Sequence, residues 1–173
     1  DCRQWISTAK AGGARYAILV CKHHDGFANW PSVYTEYSVK NTPWKNGKGD
    51  VVKEFTDACR EYGLKVGLYY SPAQFGSKLT SAKEYDDYFI SQITELLSNY
   101  GKIDYLWFDG CGSEGHEYDK KRIVAEMERL KTILGSDAVL CSVIVKELKE
   151  IKKEFGSERR TEIQDEIQEI VID

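Results

Sequence analysis

Between residues 16 and 141, four short apolar runs alternate with amphipathic stretches of helical spacing, and no hairpin signal joins any two of the runs. That alternation constrains the fold more than any other feature. Antiparallel neighbours are joined by tight turns, whereas parallel strands need a crossover, usually a helix. The pattern therefore predicts right-handed βαβ units around a parallel sheet, an α/β fold. An eight-stranded barrel of this type takes about 250 residues. Four strands fit into this chain of 173 residues, so a barrel reading makes it about half of one.

The punctuation is local and chemical. Asp1 is placed to cap a helix running to Ala11, which Gly12-Gly13 stops. Tyr16-Ala17-Ile18-Leu19-Val20-Cys21 is apolar on both faces, as a buried parallel strand should be. A polar loop bearing Trp and Pro runs from His23 to Gly49. Asp50 then caps a helix with Val51, Phe55, Cys59 and Tyr62 on one stripe, ended by Gly63. Val66 to Tyr70 is the second strand. Ser81-Ala82-Lys83-Glu84 has the form of a capping box, and its helix stops near Tyr100-Gly101. Ile103 to Phe108 reads as a third strand, Ile123 to Leu134 as a helix, and Ala138 to Cys141 as a fourth strand.

Composition narrows the classes. With 42% hydrophobic residues the chain can bury a core, and no apolar run approaches a membrane span. Asp1-Cys2-Arg3-Gln4-Trp5 lacks the basic-then-apolar layout of a signal peptide, and no compartment is assigned. A net charge of −4 argues against broad nucleic-acid binding. Five cysteines without a CxxC pair read as reduced, mostly buried thiols. The 12% aromatic content suits a sugar cleft, whose rings stack on C–H faces, but equally fills ordinary cores.

In a parallel β/α fold the chemistry gathers at the carboxyl ends of the strands. Here those ends carry Lys22-His23-His24-Asp25-Gly26, Tyr69-Tyr70-Ser71 and Trp107-Phe108-Asp109-Gly110. His23 and His24 are adjacent and make a poor chelating pair, since neighbours on a strand point to opposite faces. Hydrogen bonding to a ligand and structural packing both remain open for them. Lys22 is open between a part in the site and a solvated neighbour, Asp25 reads as a turn-former, and Asp104 as a residue that caps or turns the chain at the opposite rim. Asp109 follows an aromatic stretch and shares its face with Trp107 and Tyr105. A partly desolvated carboxylate there is a candidate nucleophile or base, the bland alternative being an Asp-Gly turn. Glu114, Glu117 and Asp119 read as solvated loop charges, and Cys111 beside His116 as a weak nucleophile candidate.

Taken in order, Lys22-His23-His24-Asp25-Gly26-Phe27, Trp30-Pro31-Ser32, Tyr37-Ser38-Val39, Gly67-Leu68-Tyr69-Tyr70-Ser71 and Leu106-Trp107-Phe108-Asp109-Gly110 resemble the α-L-fucosidases of glycoside hydrolase family 29 over residues 1–142. The resemblance implies a (β/α)8 (TIM) barrel followed by a β-sandwich. It further implies a retaining double displacement, removal of terminal fucose from glycans, and no metal or other cofactor. Asp109 matches the nucleophile. His23 and His24 match the pair that hydrogen-bonds fucose hydroxyls, Tyr69 and Trp107 match aromatic pocket residues, and Trp30 matches a rim position. A first strand with a further sugar-binding His is expected before Asp1, and the general acid/base beyond the matched stretch, so neither Glu114 nor Glu117 takes that role. The expectation is a partial barrel, inactive by itself and prone to self-association through unpaired strand edges.

The segment from 143 to 173 differs in kind. From Ile144 onward it holds nine acidic and six basic residues, and Phe155 is its one aromatic. Ile144, Leu148, Ile151 and Phe155 form a narrow amphipathic helical stripe. Val145 to Gly156 with Glu158 to Ile163 resembles the DNA-cleaving chain of type IIA DNA topoisomerases (the gyrase and topoisomerase IV type), without that enzyme's catalytic tyrosine region. The expectation is a charged helical tail foreign to the barrel. Two rival functions follow: a non-catalytic carbohydrate-binding remnant, or a helical segment that docks on a topoisomerase partner.

Overall fold

A computed structural model describes residues 1–75, 79, 81–109, 116–134 and 139–142. The Gly110–Gly112 stretch with Cys111, Glu114 and the whole tail from 143 lie outside the described residues. The order is α1 (Cys2–Ala11), β1 (Tyr16–Lys22), α2 (Val51–Tyr62), β2 (Lys65–Tyr70), α3 (Ala82–Asn99), β3 (Tyr105–Phe108), α4 (Lys120–Leu134) and β4 (Val139–Ser142), with two short 3₁₀ turns between β1 and α2. The strands form one parallel sheet in the order β1-β2-β3-β4. Each strand lies beside the next in sequence, as in an unclosed stretch of β/α barrel. No described helix is long and apolar enough to cross a membrane.

Helix starts follow side-chain chemistry. Asp1 accepts from the backbone N–H groups of Arg3 and Gln4, and Asp50 from that of Lys53 at 2.8 Å. Ser81 and Glu84 complete a reciprocal capping box, satisfying two donors that a bare helix end leaves orphaned. Gly63 ends α2 with φ +69°, a left-handed conformation that L side chains seldom adopt. β3 begins two residues later than the apolar run predicts. Asp104 is spent on β2 instead: its Oδ2 accepts from Val66 N–H at 2.8 Å, fastening the amino-terminal ends of two strands.

The two faces of the sheet have different fates. Leu68, Leu106, Tyr70 and Phe108 are buried under the helices with Val52, Phe55, Phe89, Ile93 and Met127. On the opposite face Tyr16, Ile18, Val20 and Trp107 remain 37–45% exposed. The expectation that β1 is buried on both sides fails here, because period and apolarity do not reveal which face an incomplete sheet leaves uncovered. In a closed barrel this face would be the packed interior.

One carboxylate gathers three donors of the long loop after β1. Glu95 on α3 accepts from Trp30 Nε1 at 3.0 Å, Ser32 Oγ at 2.7 Å and Val33 N at 2.9 Å. Trp30, expected at the rim, is therefore a core residue, 1% exposed with its indole N–H satisfied inward. Glu95→Ala strips three donors of their acceptor and is expected to destabilise the fold by about 1–3 kcal/mol in urea denaturation. An unchanged midpoint would show that the carboxylate does not hold the loop.

Candidate active site

Three strand ends converge on one edge of the sheet. Val20, Tyr69 and Trp107 occupy one register row, so Tyr69 and Trp107 stand side by side with ring centroids 5.2 Å apart, edge to face. Asp109 follows β3 directly and is partly buried. The Tyr69 hydroxyl donates to its Oδ2 at 2.5 Å. His23 lies nearly parallel to the Tyr69 ring at 5.6 Å, and His24 meets His23 edge-on at 4.4 Å. Both imidazoles are exposed to solvent. Of the residues singled out from sequence, Asp109, Tyr69, Trp107, His23 and His24 are brought together; Trp30 is not.

The His pair is presented by a tight turn. Gly26 N donates to His23 O at 3.0 Å and Asp25 Oδ1 accepts from Phe27 N at 3.4 Å, so Asp25 serves the turn. Gly26 has φ +83°, and a Cβ there would lie 2.7 Å from the Gln74 side chain. The next strand's loop thus packs directly on the turn. Phe75 N donates to His24 O at 2.7 Å, tying the same two loops together.

Lys22 departs from the solvated alternative. The register of β1 against β2 shifts between Val20 and Lys22, which aligns Lys22 with Tyr70. Its side chain is fully buried rather than solvated. Nζ donates to Ala73 O at 3.4 Å and lies 4.4 Å from the centroid of the Tyr70 ring. Burial pushes its pKa down to about 7, against the opposing pull of Asp25 and Asp109. An irregularity of register leaves no trace in a single sequence, so nothing in the Lys-His-His run distinguishes this lysine from a surface one.

Further along the edge, His116 is engaged by Asp86 at 3.1 Å, and Asp86 also accepts from Asp119 N at 2.8 Å. Tyr85 and Tyr118 both donate to Pro72 O, at 2.6 and 2.7 Å. These contacts tie the segment before α4 to α3 and to the end of β2, and give His116 a structural partner. Asp119 Oδ1 accepts from Arg122 N at 3.0 Å at the start of α4, while Glu117 is exposed. Among the described residues, no group of three or more His, Cys, Asp or Glu side chains is placed to hold a metal ion. Cys2, Cys21 and Cys59 are buried free thiols.

The family model for alpha-L-fucosidase matches residues 1–169. The chain belongs to the α-L-fucosidase family. It is 46% identical over 145 residues to alpha-L-fucosidase 1 of Arabidopsis thaliana, a match covering 78% of this chain and 28% of that enzyme. Among solved structures, a glycoside hydrolase 29 family member from an unknown rumen bacterium superimposes with a TM-score of 0.69 at 42% identity, covering 81% of this chain and 27% of the other. Alpha-L-fucosidase isoenzyme 1 from Paenibacillus thiaminolyticus also gives 0.69, at 32% identity and covering 81% and 37% of the two chains. This fucosidase-family chain thus spans about a quarter of the length of the Arabidopsis relative. The family match continues through most of the charged tail, and the topoisomerase resemblance of that tail finds no support.

Proposed function

We propose that this chain supplies the nucleophile-bearing part of a retaining α-L-fucosidase, with Asp109 as the nucleophile. The observation that supports this best is the carboxylate at the end of β3, held by the Tyr69 hydroxyl beside two solvent-facing imidazoles. In the first step an oxygen of Asp109 bonds to the anomeric carbon as the glycosidic C–O bond breaks, and the leaving oxygen takes a proton from an acid outside the residues named here. Water then cleaves the resulting ester and restores the carboxylate. The Tyr69 hydrogen bond holds the Asp109 carboxylate in place at the end of β3. His23 and His24 hydrogen-bond the sugar hydroxyls, and the exposed face of Trp107 packs against the sugar's C–H surface.

Positioning and chemistry are separable in this chain. The four described strands match half of a barrel's rim, and Asp109 is one of the two carboxyl groups that a retaining displacement uses. The isolated chain is expected to bind L-fucose at millimolar concentration, by calorimetry, and to hydrolyse an aryl α-L-fucoside no faster than buffer. Binding should disappear in the His23→Ala/His24→Ala double variant. Absence of binding at tens of millimolar ligand, or binding indifferent to both histidines, would overturn the proposal.

A further inference from the structure

We propose that Phe75 is the platform for the second sugar, the residue to which the fucose is attached. This rests on reading Asp109 and the histidine pair as the fucose site. The aromatic rings along the rim form a continuous ladder. Trp107 meets Tyr69 at 5.2 Å, Tyr69 meets His23 at 5.6 Å, His23 meets His24 at 4.4 Å, and His24 meets Phe75 at 4.7 Å with an interplanar angle of 33°. Asp109 is hydrogen-bonded to Tyr69, and Phe75 is the last ring of the series, three ring contacts beyond Tyr69. In a retaining displacement the leaving group departs from the face opposite the attacking carboxylate, so the second sugar lies away from Asp109.

Phe75 has what such a platform requires. It is 61% exposed, although its ring abuts the His24 imidazole. Its backbone is not free to wander, because Phe75 N is bonded to His24 O and the preceding Gln74 packs on Gly26. A lone exposed phenylalanine needs no explanation, but one fixed to a ligand-facing histidine at the end of an aromatic ladder does. A pyranose bound there places its apolar C–H face on the ring and keeps its hydroxyls in water. Phe75 is thus a specificity residue, selecting glycans with a flat, C–H-rich pyranose next to fucose, and it does not touch the reacting carbon.

The test uses the chain as it stands and three probes: L-fucose, methyl α-L-fucoside and α-L-fucosyl-(1→2)-galactose. The disaccharide is expected to bind about fivefold tighter than the methyl fucoside. Phe75→Ala should bring the disaccharide down to the affinity of the methyl fucoside measured on the same variant, and Phe75→Trp should preserve the difference. If fucose binds but the disaccharide gains nothing, or its gain survives in Phe75→Ala, the platform is wrong and the fucose site stands. If none of the three probes binds, the fucose site and the platform fall together.

Discussion

A chimera carrying residues 1–142 in place of the matching stretch of the Arabidopsis thaliana relative is expected to hydrolyse an aryl α-L-fucoside, and Asp109→Gly within it to lower turnover on the order of 10⁴-fold. The size of the effect follows from the step that is lost. Without the carboxylate no glycosyl ester forms, and water must displace the aglycone directly from a site shaped for a two-step route. Loss of rate alone would also follow from misfolding, so the product provides the discriminating measurement. Asp109→Gly vacates a space about the size of a small anion on the side from which attack occurs. Added azide should restore turnover with an activated aryl leaving group and give fucosyl azide of inverted anomeric configuration, because one displacement then replaces two. Rescue without inversion, or a Gly variant as active as its parent, would remove Asp109 from the role. The Tyr69 hydroxyl, 2.5 Å from Oδ2, explains why Asp109 rather than the neighbouring turn carboxylate Asp25 is the candidate.

What could be read from the chain divides along the range of the interactions concerned. Caps and strands are set by neighbours a few residues away, so Asp1, Asp50 and the Ser81–Glu84 box sit where their side chains predict. The grouping of the candidate side chains was legible for a related reason. In parallel β/α units every strand delivers its carboxyl end to the same rim, so His23, Tyr69 and Asp109 could be placed together without a single long-range distance. Features decided by distant partners were not legible. Trp30 looks like an exposed loop aromatic until Glu95, 65 residues away, takes its indole N–H. The exposed face of β1 depends on what covers the sheet, and the burial of Lys22 on one irregular step in register. Phe75 has no periodic or motif signal at all, and its significance arises only from the His24 ring beside it.

Lys22 yields a prediction that needs no enzyme assay. With its pKa held near 7 in the fold against about 10.4 in an unfolded chain, the unfolded state binds more protons over the interval between them. Stability therefore rises with pH across that interval, and below pH 7 the cost of burying the ammonium is fully present. The thiols of Cys2, Cys21 and Cys59 act in the opposite sense. Burial raises their pKa, so ionisation of the unfolded chain above about pH 8.5 erodes stability. The informative window is consequently pH 7 to 8.5, where the Lys22 contribution should grow by about 1.5 kcal/mol. Lys22→Met keeps the length of the side chain over the Tyr70 ring and removes the titrating group. Because the thiols are common to both proteins, subtracting the urea-derived stability of the variant from that of the parent isolates the lysine. That difference should climb through the window; a flat difference would mean that Nζ reaches water or a carboxylate more closely than its contacts with Ala73 and Tyr70 imply.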